Sequence, residues 1–149
     1  MSEDSKIKIV IADDHLLVRE GIRTLLGREN GMIIVGEAPG GNELLKLLET
    51  TDCDLLLLDL NMPGMSGLDV IKTVRQKYPK ILILVLSMFP LTRFAVRSLK
   101  AGAVGYVTKD STSEELLKAI NTVAHRGKYI SLELAEMLAE EFGSQKKAL

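Results

Sequence analysis

Short apolar runs alternate along this chain with longer segments of helical spacing, and few folds accommodate that alternation. The runs are "KIVIA" (8–12), "MIIVGEA" (32–38), "LLLLD" (55–59), "ILILVLS" (81–87) and "GYVTK" (105–109), short and together rich in Ile, Val and Leu. Between them, apolar residues recur every three or four positions. Val18, Ile22, Leu25 and Leu26 mark one stripe within "LLVREGIRTLLGRE", and Leu44, Leu47 and Leu48 mark another within "NELLKLLET". Ser66 can cap a third helix carrying Asp69 in its first turn and Leu68, Ile71, Val74 and Tyr78 on its apolar side. "LTRFAVRSLKAG" predicts a fourth, stopped by Gly102. Thr112 and Glu115 have capping-box spacing at the start of a fifth, "SEELLKAINTVAHRG". Strands apolar on both faces require a parallel sheet covered by helices on each side, so the expected fold is a doubly wound α/β domain of five strands. Residues 131–142 predict one more short helix, and "GSQKKAL" a frayed or linking end.

At 149 residues and 46% hydrophobic, one domain suffices to bury a core. Nineteen basic residues against 20 acidic ones leave a net charge of −1, which excludes a global positive field for nucleic acid or anionic membrane. The single cysteine, Cys53, cannot form an internal disulfide and has no basic or histidine neighbour in sequence to activate it, so an inert reduced thiol is expected. No apolar run approaches the ~20 residues of a membrane span, and "MSEDSKIKIV" lacks the apolar core of a signal peptide, so a cytoplasmic protein without membrane contact is expected.

Parallel strands open all their carboxyl ends on one edge, where ligands bind in such folds. Reading off those ends collects Asp13 and Asp14, Asp59, Ser87 and Lys109. Each alone has an ordinary explanation as a turn former, a small loop residue or a lysine reaching water. Three acids, a hydroxyl and a base converging on one edge do not. Carboxylates ~5 Å apart at an effective dielectric of ~20 repel by roughly 3 kcal/mol per pair, so the cluster calls for a fixed cation beyond Lys109 or for a retained proton. A hard divalent ion such as Mg²⁺ meets that need and keeps positions open for phosphate oxygens. The leucine run then acts as a rigid rod presenting Asp59 as a nucleophile toward a phosphoryl group.

The ordered set "ADD" (12–14), "LDLNMPGMSG" (58–67), Ser87 and "GYVTK" resembles the receiver domain of bacterial two-component response regulators, over residues 6–126. Within that family, "DDHLLVREGI", "GEA" and "LKAGAVGYVTKDSTSEELLKAI" are most similar to the NarL/FixJ class, whose members usually continue into a helix-turn-helix DNA-binding domain. The resemblance implies a flavodoxin-like sheet of order 2-1-3-4-5, a receiver over 1–127, and a C-terminal helix or linker over 128–149 leading toward an output domain outside this chain. It implies Asp59 as phosphoacceptor for a sensor histidine kinase, with Asp14 as main Mg²⁺ ligand supported by Asp13, Asp59 and the main-chain carbonyl of Asn61. Ser87 and Lys109 would contact phosphoryl oxygens, and Tyr106 matches an aromatic that swings inward when that hydroxyl moves. The implied role is regulatory and not enzymatic, with DNA reached only through the output domain and a homodimer possible on phosphorylation.

Two other readings stay open beside it. One is a stand-alone receiver docking onto a protein partner. The other is an aspartyl-phosphate phosphatase, whose general acid would stand at position 61, where Asn61 cannot serve. Nucleotide or flavin binding would need a phosphate-cradling glycine motif, and neither G-x-G-x-x-G nor G-x-x-x-x-G-K-[ST] occurs. His15 is expected to be solvated and not a ligand, Met62 and Met65 to be packing residues, and Arg93, Arg97 and Lys100 to form a solvated helix face. Met88 follows Ser87 at the entrance to the site. Phe89 offers no hydrogen bond to position a hydrolytic water, which predicts a long-lived phosphorylated state.

Overall fold

The computed structural model describes residues 5–88 and 93–147, without the side chains of 142 and 144–147. Five parallel strands form one sheet in the order β2-β1-β3-β4-β5, with β1 at Ile7–Ala12, β2 at Met32–Ala38, β3 at Leu55–Leu58, β4 at Leu82–Ser87 and β5 at Gly105–Thr108. The helices are α1 (Leu16–Gly27), α2 (Gly41–Leu48), α3 (Gly67–Lys77), α4 (Arg93–Ala101), α5 (Ser113–Arg126) and α6 (Leu132–Lys147).

Strand alternation divides the core in two. Leu55 and Leu57 join Ile9, Ile11, Leu84, Leu86 and Val107 against Ile22 and Leu26 of α1 and Leu116, Ala119, Ile120 and Val123 of α5. Leu56 and Leu58 join Val10, Ala12, Ile83 and Val85 against α2, α3 and α4. The four leucines of β3 are therefore buried on both faces, as a central parallel strand demands. The stripe predicted for α3 is correct but incomplete, since Val70 is fully buried beside Ile71 and Val74. Ser66 and Thr112 cap α3 and α5, accepting from the amides of Asp69 (3.2 Å) and Glu115 (3.1 Å).

After Gly127 closes α5 in a left-handed conformation (φ 82°), the chain runs beside β5. The Tyr129 amide donates to the Val104 carbonyl at 2.9 Å. A Cβ on Gly105 would lie 2.9 Å from the Tyr129 carbonyl oxygen, so only glycine allows this approach. Ser131 then caps α6 through the Leu134 amide (3.1 Å), and α6 folds back onto α4 with Leu134 wholly buried and Lys100 3.2 Å from Glu141. The expectation of a frayed end from residue 143 is corrected here, because α6 continues to Lys147. Residues 91–92, expected to open α4, lie outside the described residues. Among the described residues no helix is long and apolar enough to cross a membrane.

Candidate functional site

Sheet pairing carries the site residues one step past the assigned strands. The Asp13 amide donates to Ala38 O at 3.0 Å, Asp59 to Ala12 O at 2.9 Å, and Lys109 to Ser87 O at 2.6 Å. Asp13, Asp59 and Lys109 are thus held by the same ladder that builds the sheet, and all stand at its carboxyl edge with Ser87. The backbone is fixed before any side chain is chosen.

Lys109 Nζ lies 2.7 Å from Asp13 Oδ2 and 3.4 Å from Asp59 Oδ2. Asp13 and Asp59 are only 1% and 2% exposed, so this lysine faces two acids that water scarcely reaches. The Asn61 amide donates to Asp59 Oδ1 at 3.1 Å, fixing that carboxylate from the loop side. Burial pushes the Asp59 carboxyl above the usual carboxylate range and the charge of Asp13 adds to it, while the Asn61 amide and Lys109 oppose. One ammonium does not balance the local negative charge. Ligand atoms of Asp13, Asp14, His15 and Asp59 all lie within 4.8 Å of one another. Three carboxylates in a partly shielded pocket, with one edge open at the 31%-exposed Asp14 side chain, fit a hard divalent cation such as Mg²⁺.

Ser87 is fully buried at the end of β4, and its hydroxyl engages the Tyr106 phenol. Tyr106 itself is buried within the core, where burial raises its phenol above the ordinary value. Met88 is 69% exposed and points its bulk to solvent. Met62 is buried and Met65 packs at the core edge, as packing residues should. Arg93 and Arg97 are exposed, and Lys100 of the same helix pairs with Glu141. Cys53 is half-buried, and burial, with Asp54 and Asp52 nearby, pushes its thiol up to about 12. Phe89 lies outside the described residues.

His15 departs from the expectation of a simply solvated ring. Its Nδ1 is 3.0 Å from Asp13 Oδ1 and 3.1 Å from Asp14 Oδ1, although half the side chain meets solvent. Its amide also donates to Asp13 Oδ1 at 2.8 Å. Three further residues escaped the sequence reading. Arg19 donates to the Asp13 carbonyl at 2.6 Å and lies 3.3 Å from Glu37, which Arg23 grips with two nitrogens at 2.8 Å each. That chain ties α1 and the end of β2 to the backbone of Asp13. Its one sequence signal is that Arg19 and Arg23 stand one helical turn apart.

Comparison with known proteins agrees with this fold. The family model described as "Response regulator receiver domain" matches residues 9–121. The transcriptional regulatory protein DegU of Brevibacillus brevis is 34% identical over 139 residues, covering 93% of this chain and 59% of that protein. The nitrate/nitrite response regulator protein NarL of Escherichia coli K12 is 39% identical over 139 residues, covering 93% of this chain and 64% of the relative. The chain thus spans about three fifths of the length of these relatives. A LuxR-family two-component response regulator from Aurantimonas sp. SI85-9A1 superposes with a TM-score of 0.82 at 36% identity, covering 92% of this chain and 98% of that one.

Proposed function

Because this chain belongs to the response regulator receiver family, in its NarL/LuxR branch, we propose that it is a phosphoacceptor module in which Asp59 takes a phosphoryl group from a sensor histidine kinase in a Mg²⁺-dependent reaction. The observation that carries the reading is the buried Asp59 carboxylate beside Lys109, with Asp13 and Asp14 within ligand distance. Asp13, Asp14, Asp59 and the Asn61 carbonyl would hold Mg²⁺, whose chemistry is to screen the acids from an incoming phosphate.

An oxygen of Asp59 attacks phosphorus, a P–O bond forms, and the P–N bond to the donor imidazole breaks. Lys109 already faces the Asp59 carboxylate and would pair with a phosphoryl oxygen. Ser87 would donate its hydroxyl to another, which requires it to leave Tyr106. That exchange links the site to a buried aromatic in the same core cluster as Ala95 and Val96 of α4 and Leu134 of α6. Phosphorylation would shift an equilibrium between two receiver surfaces.

The receiver would occupy 1–127, with 128–149 leading toward an output domain that binds DNA, since DegU is named a transcriptional regulatory protein. Pairing of two copies on phosphorylation belongs to the same proposal. The test is incubation with acetyl phosphate followed by intact mass. A gain of one phosphoryl group with Mg²⁺ but not with EDTA, and none in Asp59→Asn, supports the reading. Full modification of Asp59→Asn sinks it.

A further inference from the structure

Four asparagines occur in the chain, and only Asn30 precedes a glycine. The others are followed by Glu43, Met62 and Thr122, whose side chains crowd the next amide. An asparagine beside an uncrowded amide can react with its own backbone, and the surroundings of Asn30 decide whether the fold permits it.

Asn30 and Gly31 form the turn between α1 and β2. Asn30 is exposed, and among the described residues neither its side chain nor the Gly31 amide has a hydrogen-bond partner. Nothing beyond the adjoining residues lies within 4 Å of where a Gly31 Cβ would stand, so that flank of the amide is open. The chain on either side, by contrast, is tied down. The Glu29 amide donates to Leu26 O at 3.0 Å, closing α1, and the Gly31 carbonyl accepts from the Ile7 amide at 2.8 Å. Met32 follows, 5% exposed and paired with Ile7. Glu29, Asn30 and Gly31 alone span the distance between those two bonds.

We propose that Asn30 is a site of spontaneous backbone modification whose product unseats the start of β2 from β1. The Gly31 nitrogen, giving up its proton to solvent, attacks Asn30 Cγ. A C–N bond forms there, the carboxamide C–N bond breaks, and ammonia leaves. Water then opens the five-membered imide. Cleavage at Cγ gives aspartate, whereas cleavage at the main-chain carbonyl routes the backbone through the side chain as isoaspartate, with no oxidant or reductant involved. Isoaspartate lengthens the main chain by one methylene and adds a carboxylate. With Glu29 and Gly31 both anchored, the extra length has no slack to enter. The Ile7–Gly31 bond, at the open end of the ladder, gives way first.

Incubation of the full chain at pH 8.5 and 37 °C, followed by intact mass and peptide mapping, tests the chemistry. The expected result is a gain of about 1 Da at Asn30, with the isoaspartyl product detected by a protein isoaspartate carboxyl methyltransferase. Gly31→Ala should react at least tenfold more slowly. Gly31 lies outside the left-handed region and has open space at its Cβ position, so this variant folds. In the purified isoaspartyl protein, hydrogen exchange at the Ile7 amide should be at least tenfold faster than in wild type, with the Asp59 amide unchanged. Asn30→Asp, which adds the charge without the methylene, should keep Ile7 exchange within twofold of wild type. An Asn30 that stays intact in the folded chain while a peptide of residues 28–33 converts fully would overturn the proposal. Equal Ile7 exchange in the isoaspartyl and wild-type proteins would overturn the unseating of β2.

Discussion

Replacing Asp59 with Asn should make the metal-free protein more stable. Asp59 is almost wholly buried, so in the absence of a cation its charge is held against the fold. With 4.8 Å as the outer limit of ligand-atom separation in the cluster, Asp13 and Asp14 each repel Asp59 by roughly 3 kcal/mol at an effective dielectric of ~20, whereas Lys109 at 3.4 Å attracts it by roughly 5 kcal/mol. Solvent screening at the part-exposed Asp14 reduces its share, and burial of the Asp59 charge adds to the cost. The remainder is about 1–2 kcal/mol in favour of Asn, or ~3–6 °C in melting temperature for a chain of this size. The amide keeps an oxygen to accept from the Asn61 amide, so that contact persists.

The sign with pH follows from the raised Asp59 carboxyl. The native state holds the proton more tightly than the unfolded chain, so wild type gains stability as pH falls through the native value of this group. The advantage of the Asp59→Asn protein should be full above that value and vanish below the ordinary carboxylate range. Urea unfolding in EDTA at pH 7.5 and at successively lower pH measures it. Added Mg²⁺ should narrow the gap from the other side, by stabilising wild type alone. An Asp59→Asn protein less stable than wild type at pH 7.5 in EDTA would refute the reasoning.

Three further outcomes are expected. A Cβ on Gly67 would stand 2.7 Å from Leu60 Cα and 2.8 Å from its carbonyl oxygen, so Gly67→Ala should cost about 1–3 kcal/mol in urea unfolding and displace the residue after Asp59. Asp14→Ala should lose Mg²⁺ affinity by calorimetry, whereas Lys109→Ala should retain a metal site yet accept phosphate poorly from acetyl phosphate, because the ammonium is placed for phosphoryl oxygens. With its thiol pushed up to about 12, Cys53 should react with iodoacetamide at pH 8 more than tenfold slower in the native protein than in urea, followed by mass.

Much of the architecture was legible because parallel strands carry an unusual signal. The four leucines of "LLLLD" are apolar on both faces, as only a strand covered on both sides can be. Asp13, Asp59, Ser87 and Lys109 were legible for a related reason, since strand direction alone assigns the carboxyl ends to one edge. What was missed depends on angles between elements. Whether the ring of His15 turns to the acids or to water is decided by how α1 leaves β1, and the Arg19–Glu37 link requires the spacing of α1 from β2. Nor does "GSQKK" carry an apolar stripe, so nothing in its pattern announces that α6 runs on. The Tyr106–Ser87 contact joins neighbouring strands whose pairing, Val85 with Tyr106 and Ser87 with Thr108, appears once the sheet is assembled.

The most direct test of the central claim is chemical mapping of the phosphorylated residue. Wild type treated with acetyl phosphate and Mg²⁺ should be reduced with borohydride, digested and sequenced by mass spectrometry. Homoserine is expected at position 59, a modification removed by prior hydroxylamine treatment as an acyl phosphate must be, with no conversion in EDTA. Conversion at Asp13 or Asp14 in place of Asp59, or a hydroxylamine-resistant phosphate on Ser87, would contradict it.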